Sequence, residues 1–210
     1  MQSTQKEIFY TTNKPYSTLN TLTNKTKNVW FVCHGLGYLS KYFIRYFKGL
    51  NAEENYIISP QAPSLYYQDG FKHVGACWLT KENTQAETQN IVNYFDSILA
   101  EEQIPEDKNI IVLGYSQGVS VATRYIKNRQ LQCSQLILHS GGLPKELVAE
   151  DFKLLKAKVS LVYGTEDEYL DAKRIAYETE RAQELFGNDV SIIPFEGKHV
   201  VNVNIINGLV

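Results

Sequence analysis

Residues 110–119 read Ile110-Ile111-Val112-Leu113-Gly114-Tyr115-Ser116-Gln117-Gly118-Val119. Four consecutive β-formers run into a serine flanked by glycines two residues to either side. Val119, Ala122 and Ile126 then mark the apolar face of a helix. A strand, a turn tight enough to demand glycine on both sides and a helix starting at once form a nucleophile elbow, which holds a serine exposed at the top of a sheet. The helix start also aims free N–H groups and a positive dipole end at the same place. A bare G-x-S-x-G is weak, because a glycine-flanked turn serine without chemistry reads the same. The strand before it and the helix after it favour catalysis.

Outward from this stretch the chain alternates. Short apolar runs at 29–33, 56–59, 136–138, 159–163 and 190–194 are nearly continuous, as strands buried on both faces require. Between them lie helical spacings: Leu39, Phe43, Tyr46, Phe47 and Leu50; Ile91, Tyr94, Phe95, Ile98 and Leu99; Ile175, Ala182 and Phe186. This pattern predicts an α/β fold with a mostly parallel central sheet, helices on both faces, and ligands at the carboxyl ends of the strands. The Thr- and Tyr-rich start predicts a small hairpin around Asn13-Lys14-Pro15.

A hydroxyl is a poor nucleophile at neutral pH and needs a base. Behind such an elbow the acid and the histidine follow in chain order. His199 is the only histidine beyond His139, and it follows the last strand-like run and the turn 195–198. His139 leaves no later place for an acid, His34 precedes the elbow, and His73 falls in a loop. The run 159–163 leads into Gly164-Thr165-Glu166-Asp167-Glu168, whose three carboxylates leave the acid open on residue type alone. Residues 34–37, His34-Gly35-Leu36-Gly37, follow the run 29–33 and have the form of an oxyanion loop, so the amides of Leu36 and Gln117 are the expected donors.

Together these segments resemble the phospholipase/carboxylesterase family of α/β-hydrolases, which includes the acyl-protein thioesterases. The likeness spans about residues 29–199 and is carried by HGLG at 34–37, SPQAP at 59–63, Trp78, GYSQG at 114–118, SGGLP at 140–144, GTEDEYL at 164–170 and GKH at 197–199. It implies an α/β-hydrolase fold, nucleophile, acid and base at Ser116, Asp167 and His199, and oxyanion donors at Leu36 and Gln117. The activity it implies is hydrolysis of carboxylic esters or thioesters through an acyl-enzyme. The chain departs from the family in having Tyr38 after HGLG, Val119 after the elbow and Glu168-Tyr169-Leu170 in the acidic loop. The rival readings are a peptide- or carbon–carbon-bond hydrolase on the same triad and a non-catalytic binding protein that keeps the fold.

Composition bounds the rest. With 210 residues, the chain reads as one α/β-hydrolase domain over 1–210. Twenty-one basic residues balance 23 acidic ones without a long run of either sign, which removes the electrostatic footprint of nucleic-acid binding. Cys33, Cys77 and Cys133 are odd in number and lack metal-site spacing. No stretch reads as a secretory signal or an integral membrane segment, so the expected location is cytoplasmic. No metal or organic cofactor is needed, and oligomeric state is not readable.

No large lid is expected. Residues 64–77 and 143–155 are the insertions able to shape a pocket, and Tyr38, Trp78 and Leu143 are the expected substrate-binding residues. Tyr66, Tyr67, Phe71 and Tyr169 supply further apolar surface nearby. The nearest basic residues to the elbow, Arg124 and Lys127, fall about two turns or more along its helix, which predicts a neutral short to medium acyl group.

Overall fold

A computed structural model describes residues 3–210. Its frame is a seven-stranded sheet of β1 (Tyr16–Leu19), β2 (Asn28–Cys33), β3 (Asn55–Pro60), β6 (Asn109–Tyr115), β7 (Gln135–His139), β8 (Lys158–Gly164) and β9 (Ser191–Phe195). The order is β1-β3-β2-β6-β7-β8-β9. Only the β1–β3 pair is antiparallel; every other pair is parallel. A separate antiparallel hairpin pairs β4 (Ser64–Gln68) with β5 (His73–Cys77).

The apolar runs are nearly continuous because both faces of the sheet are covered. Along β2, Val29, Phe31 and Cys33 enter one core while Trp30 and Val32 enter the other. Strand β6 divides in the same way, with Val112 on the first face and Ile111, Leu113 and Tyr115 on the second. The first core is roofed by α2 (Thr84–Glu102), α3 (Gln117–Arg129) and α4 (Ala172–Phe186). The second is closed by α1 (Ser40–Phe43), a 3₁₀ turn at Ile44–Phe47 and α5 (Val203–Gly208). Phe31 meets Phe95 edge-on at 4.9 Å and stacks on Tyr125 at 6.0 Å. A side chain of that size stabilises by roughly 1.5–3 kcal/mol when fully buried.

The sequence-based reading departs from the structure in two places. Residues 3–15 have no regular structure, so no hairpin forms at Asn13-Lys14-Pro15. Lys14 Nζ instead donates to Pro63 O and the Tyr94 hydroxyl to Pro15 O, which feeds Tyr16–Leu19 onto the free edge of β3. The helix expected over residues 39–50 is one α-turn followed by a 3₁₀ turn, which places Phe43, Ile44 and Phe47 against the sheet. Residues 64–77 are an ordered hairpin tied down by the Gly37 amide, which donates to Ala76 O at 2.8 Å.

The approach of α3 to the sheet is set by two glycines. A Cβ added at Gly118 would lie 2.0 Å from Cys33 O, and one at Gly114 would lie 2.5 Å from the backbone of Val119. Both obstacles are main chain and neither can swing aside. Gly118→Ala should therefore cost about 3 kcal/mol of stability. Gly208→Ala, where nothing stands within 4 Å, should change stability by no more than about 1 kcal/mol. Urea midpoints of the two variants measure the difference.

Candidate active site

Five parallel strands end at the same edge of the sheet, and each hands a loop to one place. Strand β2 leads into 34–37, β6 into Ser116, β7 into 140–142, β8 into Asp167, and β9 into His199. Ligand sites of open parallel sheets lie at such an edge.

Ser116 has φ 53° and ψ −119°, a conformation an L-residue adopts only at a cost of order 1–3 kcal/mol. The turn is held by the Ser116 amide, which donates to His139 O at 2.8 Å, and by the Val119 amide, which donates to Ser116 O at 3.1 Å. The constraint lifts the hydroxyl to within 2.9 Å of His199 Nε2. His199 Nδ1 lies 2.7 Å from Asp167 Oδ2, and the other carboxylate oxygen accepts the amides of Tyr169 and Leu170. The Asp167 side chain is fully buried, whereas Glu166 and Glu168 on either side are exposed. Of the three carboxylates left open by residue type, only Asp167 reaches the imidazole. An Nδ1–H donated to Asp167 leaves Nε2 as an acceptor facing the Ser116 hydroxyl.

Leu36 and Gln117 line the same cavity as the histidine. Neither amide is a donor in any hydrogen bond among the described residues. The Gln117 side chain acts elsewhere, since its Oε1 accepts the Trp78 amide and its Nε2 donates to Leu79 O. It thereby pins the segment after β5 to the elbow.

A cavity of about 370 Å³ opens over Ser116, walled by Leu36, Gln117, Ser120, the 140–142 loop, Tyr169, Leu170 and His199. Tyr38, Trp78 and Leu143, expected on this wall, are not on it. Trp78 is 1% exposed, donates from Nε1 to His34 O, and packs on Phe95. Leu143 is buried in the first core. Tyr38 turns toward Phe43 and Tyr115. Tyr66, Tyr67 and Phe71 ride on the hairpin, also off the wall; of the aromatic residues expected nearby, Tyr169 alone is there.

Charged side chains hold the cavity-side loop after β7 in place. Glu178 is buried, accepts the Leu143 amide at 2.8 Å and pairs with Arg174. Arg181 donates to the carbonyls of Lys145 and Leu147, and Glu146 is paired to Arg124. Residue counting along α3 puts Arg124 too far from the elbow to matter. Helical side chains lean toward the helix N-terminus, however, and Arg124 Nη1 reaches back one turn to donate to Ser120 Oγ on the cavity wall.

Two further histidines sit beside the site, and both are structural in geometry. His34 accepts the Ala62 amide at Nε2 and donates from Nδ1 to Gly35 O. His139 accepts the Asn202 amide at Nε2, so its Nδ1 donates to Ser140 Oγ. Both are fully buried. Desolvation pushes His34 down to about 4 and His139 down to about 3. Nothing in the sequence pattern marked Tyr115 as the anchor of the histidine loop, where its hydroxyl donates to His199 O at 2.9 Å and its ring lies beside the imidazole. Among the described residues no group of three or more His, Cys, Asp or Glu is placed to hold a metal ion. None of the described helices is long and apolar enough to cross a membrane.

The family model for phospholipase/carboxylesterase matches residues 16–206, nearly the whole chain. The chain belongs to that family. Solved structures of similar shape include a phospholipase/carboxylesterase from Dyadobacter fermentans (21% identity, TM-score 0.68, covering 95% of this chain and 97% of that one). An acyl-protein thioesterase 2 from Zea mays is similar at 15% identity and TM-score 0.70, covering 94% and 96%. A Bacillus cereus carboxylesterase is similar at 16% and 0.69, covering 93% and 91%. At these identities the likeness establishes the α/β-hydrolase fold. No curated protein matches the sequence. As a member of the phospholipase/carboxylesterase family the chain is a hydrolase of the esterase kind.

The two buried histidines make stability depend on pH in a defined direction. Their folded-state pKa values lie below the unfolded value of about 6.5, so below that pH the unfolded chain binds more protons. Their contribution is complete above about pH 6.5 and is lost as pH falls toward about 4 for His34 and about 3 for His139. Each histidine should contribute a slope of up to about 1.4 kcal/mol per pH unit in its window. His139→Gln, which keeps an acceptor for the Asn202 amide, should flatten the slope between about pH 6 and about pH 4 in urea denaturation. An unchanged slope would mean that His139 is protonated in the folded state.

Proposed function

We propose that this chain hydrolyses carboxylic esters or thioesters through an acyl-enzyme on Ser116. The reading rests on one observation: the series Ser116 Oγ, His199 Nε2 and Asp167 Oδ2, joined at 2.9 and 2.7 Å, opens onto a cavity rimmed by two unused amides. His199 takes the serine proton as the hydroxyl attacks the acyl carbon, and the Leu36 and Gln117 amides receive the negative charge on the carbonyl oxygen. The imidazolium then protonates the departing oxygen or sulfur. Water, deprotonated by the same nitrogen, releases the acid and restores Ser116. Asp167 fixes the tautomer and stabilises the imidazolium. The substrate is a small acylated molecule.

Peptide-bond and carbon–carbon hydrolases use the same groups and differ in substrate. A silent binding protein would be expected to lose one of them, and the three are present and in register.

An alkyl fluorophosphonate should label the folded protein once, at Ser116, as read by peptide mass mapping, and Ser116→Ala should abolish both labelling and ester turnover. Labelling at another residue would end the covalent mechanism.

Asp167→Asn tests the third member. Its carbonyl oxygen would stay with the Tyr169 and Leu170 amides, which turns an NH₂ group toward His199 Nδ1. The imidazole then carries its proton on Nε2 and cannot accept one from Ser116. Loss of kcat on the order of 10⁴-fold is expected, as for the equivalent change in a serine protease. Glu166→Gln and Glu168→Gln should each cost less than about tenfold. Comparable mild losses at all three positions would place the acid elsewhere.

A further inference from the structure

We propose that Ser120 is a specificity-determining residue, selecting acyl groups that carry a hydrogen-bond-accepting oxygen at the third or fourth chain atom. The proposal rests on the esterase reading above and concerns the same cavity. Ser120 lies one helical turn beyond Ser116 on α3 and lines the cavity with it. Its oxygen accepts a hydrogen bond from Arg124 Nη1, and its own proton has no acceptor among the described residues. A hydroxyl that accepts from a guanidinium becomes a stronger donor, because a charge-assisted bond polarises the O–H. Arg124 cannot turn away to meet the substrate itself. Its Nε and Nη2 are held on Glu146 at 2.7 and 2.6 Å, and its side chain is 15% exposed. The pair brings little net charge to the cavity, so the group recognised is an acceptor oxygen and a formal negative charge is not required.

Geometry sets where that oxygen sits. Ser116 caps α3 and Ser120 lies four residues on, which at about 1.5 Å of rise per residue is roughly 6 Å along the helix axis, and both side chains line the one cavity. An acyl carbon bonded to Ser116 Oγ therefore lies a few ångströms from a position in hydrogen-bond range of Ser120 Oγ, a gap that two or three chain bonds cross. The leaving group must lie where the imidazole can protonate it, on the side of His199 and Tyr169, whose rings meet at 4.9 Å. The acyl chain takes the part of the cavity lined by Leu36, Ser120 and Gly141. A purely alkyl chain would leave the Ser120 proton without a partner once water is expelled, and sites with an unpaired polar group discriminate strongly against such analogues.

The test compares p-nitrophenyl 3-methoxypropanoate with p-nitrophenyl pentanoate, which differ by one ether oxygen in place of one methylene. The ether only accepts, so it isolates the donor role. Each kcat/KM is divided by that ester's own rate of alkaline hydrolysis, which removes the difference in intrinsic reactivity. In the wild-type protein the normalised ratio should favour the methoxy ester by about tenfold. In Ser120→Ala it should collapse toward one, and Ser120→Thr, which keeps a hydroxyl, should restore most of it. A ratio that is the same in the wild type and in Ser120→Ala overturns the proposal and leaves the esterase reading standing. The same preference appearing in the alcohol portion of matched esters, and not in the acyl portion, also overturns it. If neither ester is turned over by the wild-type protein, the esterase reading falls and the proposal falls with it.

Discussion

The first turn of α3 lies so close to the carboxyl end of β2 that only a hydrogen fits at residue 118, where an added Cβ would stand 2.0 Å from Cys33 O. That approach forces the chain to reverse from β6 into α3 within a single residue, and Ser116 carries the cost in a positive φ. The hydroxyl is lifted because the backbone cannot relax. The same contact sets the amide of Gln117 beside the loop that leaves β2, where the amide of Leu36 is also unused. Strain at the serine and donors at the rim are two results of one close backbone contact. The surrounding loops add stiffness: Gln117 pins the end of the hairpin, and Glu178, Arg181 and the Arg124–Glu146 pair pin the loop after β7.

Three histidines close to the cavity have been given different chemistry by their surroundings. His34 and His139 have both ring nitrogens engaged and no access to solvent, so the cost of desolvating a charge keeps them neutral. Each acts as a rigid two-ended connector between backbone segments. His199 is partly open, has a buried carboxylate at one nitrogen and presents the other to a hydroxyl. Tyr115 fixes the loop that carries it. A proton can be accepted and returned only at the third of these, and the difference lies in exposure and partners.

The sheet was readable because burial on both faces writes itself into the sequence as unbroken apolar runs, and all six of those runs are strands. Ser116 and His199 were readable because a glycine-bounded elbow and a single late histidine leave few choices. Asp167 needed the family likeness, since three adjacent carboxylates look alike until one is buried. What sequence patterning could not supply was direction. Trp78 and Leu143 are apolar residues near the motifs, and they point into the core instead of the cavity. The edge strand β1 was missed because Tyr16–Leu19 takes its partner from a segment far along the chain, Ile57–Pro60. Short α5 carries too few residues to show a period.

Arg124 shows the same limit with a chemical consequence. Counting along the helix puts it two turns from Ser116, and on that count the cavity is free of charge. Side-chain direction brings its guanidinium back to Ser120, and Glu146 then holds it there. The cavity wall is for the most part apolar surface, with the Ser120 hydroxyl as a polar group set into it. Burial of methylenes stabilises by about 0.8 kcal/mol each, but only where apolar wall is present to receive them. An alkyl chain gains along the apolar part of this wall, and the Ser120 hydroxyl adds a preference for an oxygen placed opposite it. Selectivity at this site is therefore expected to follow both the length of the acyl group and where its oxygens lie.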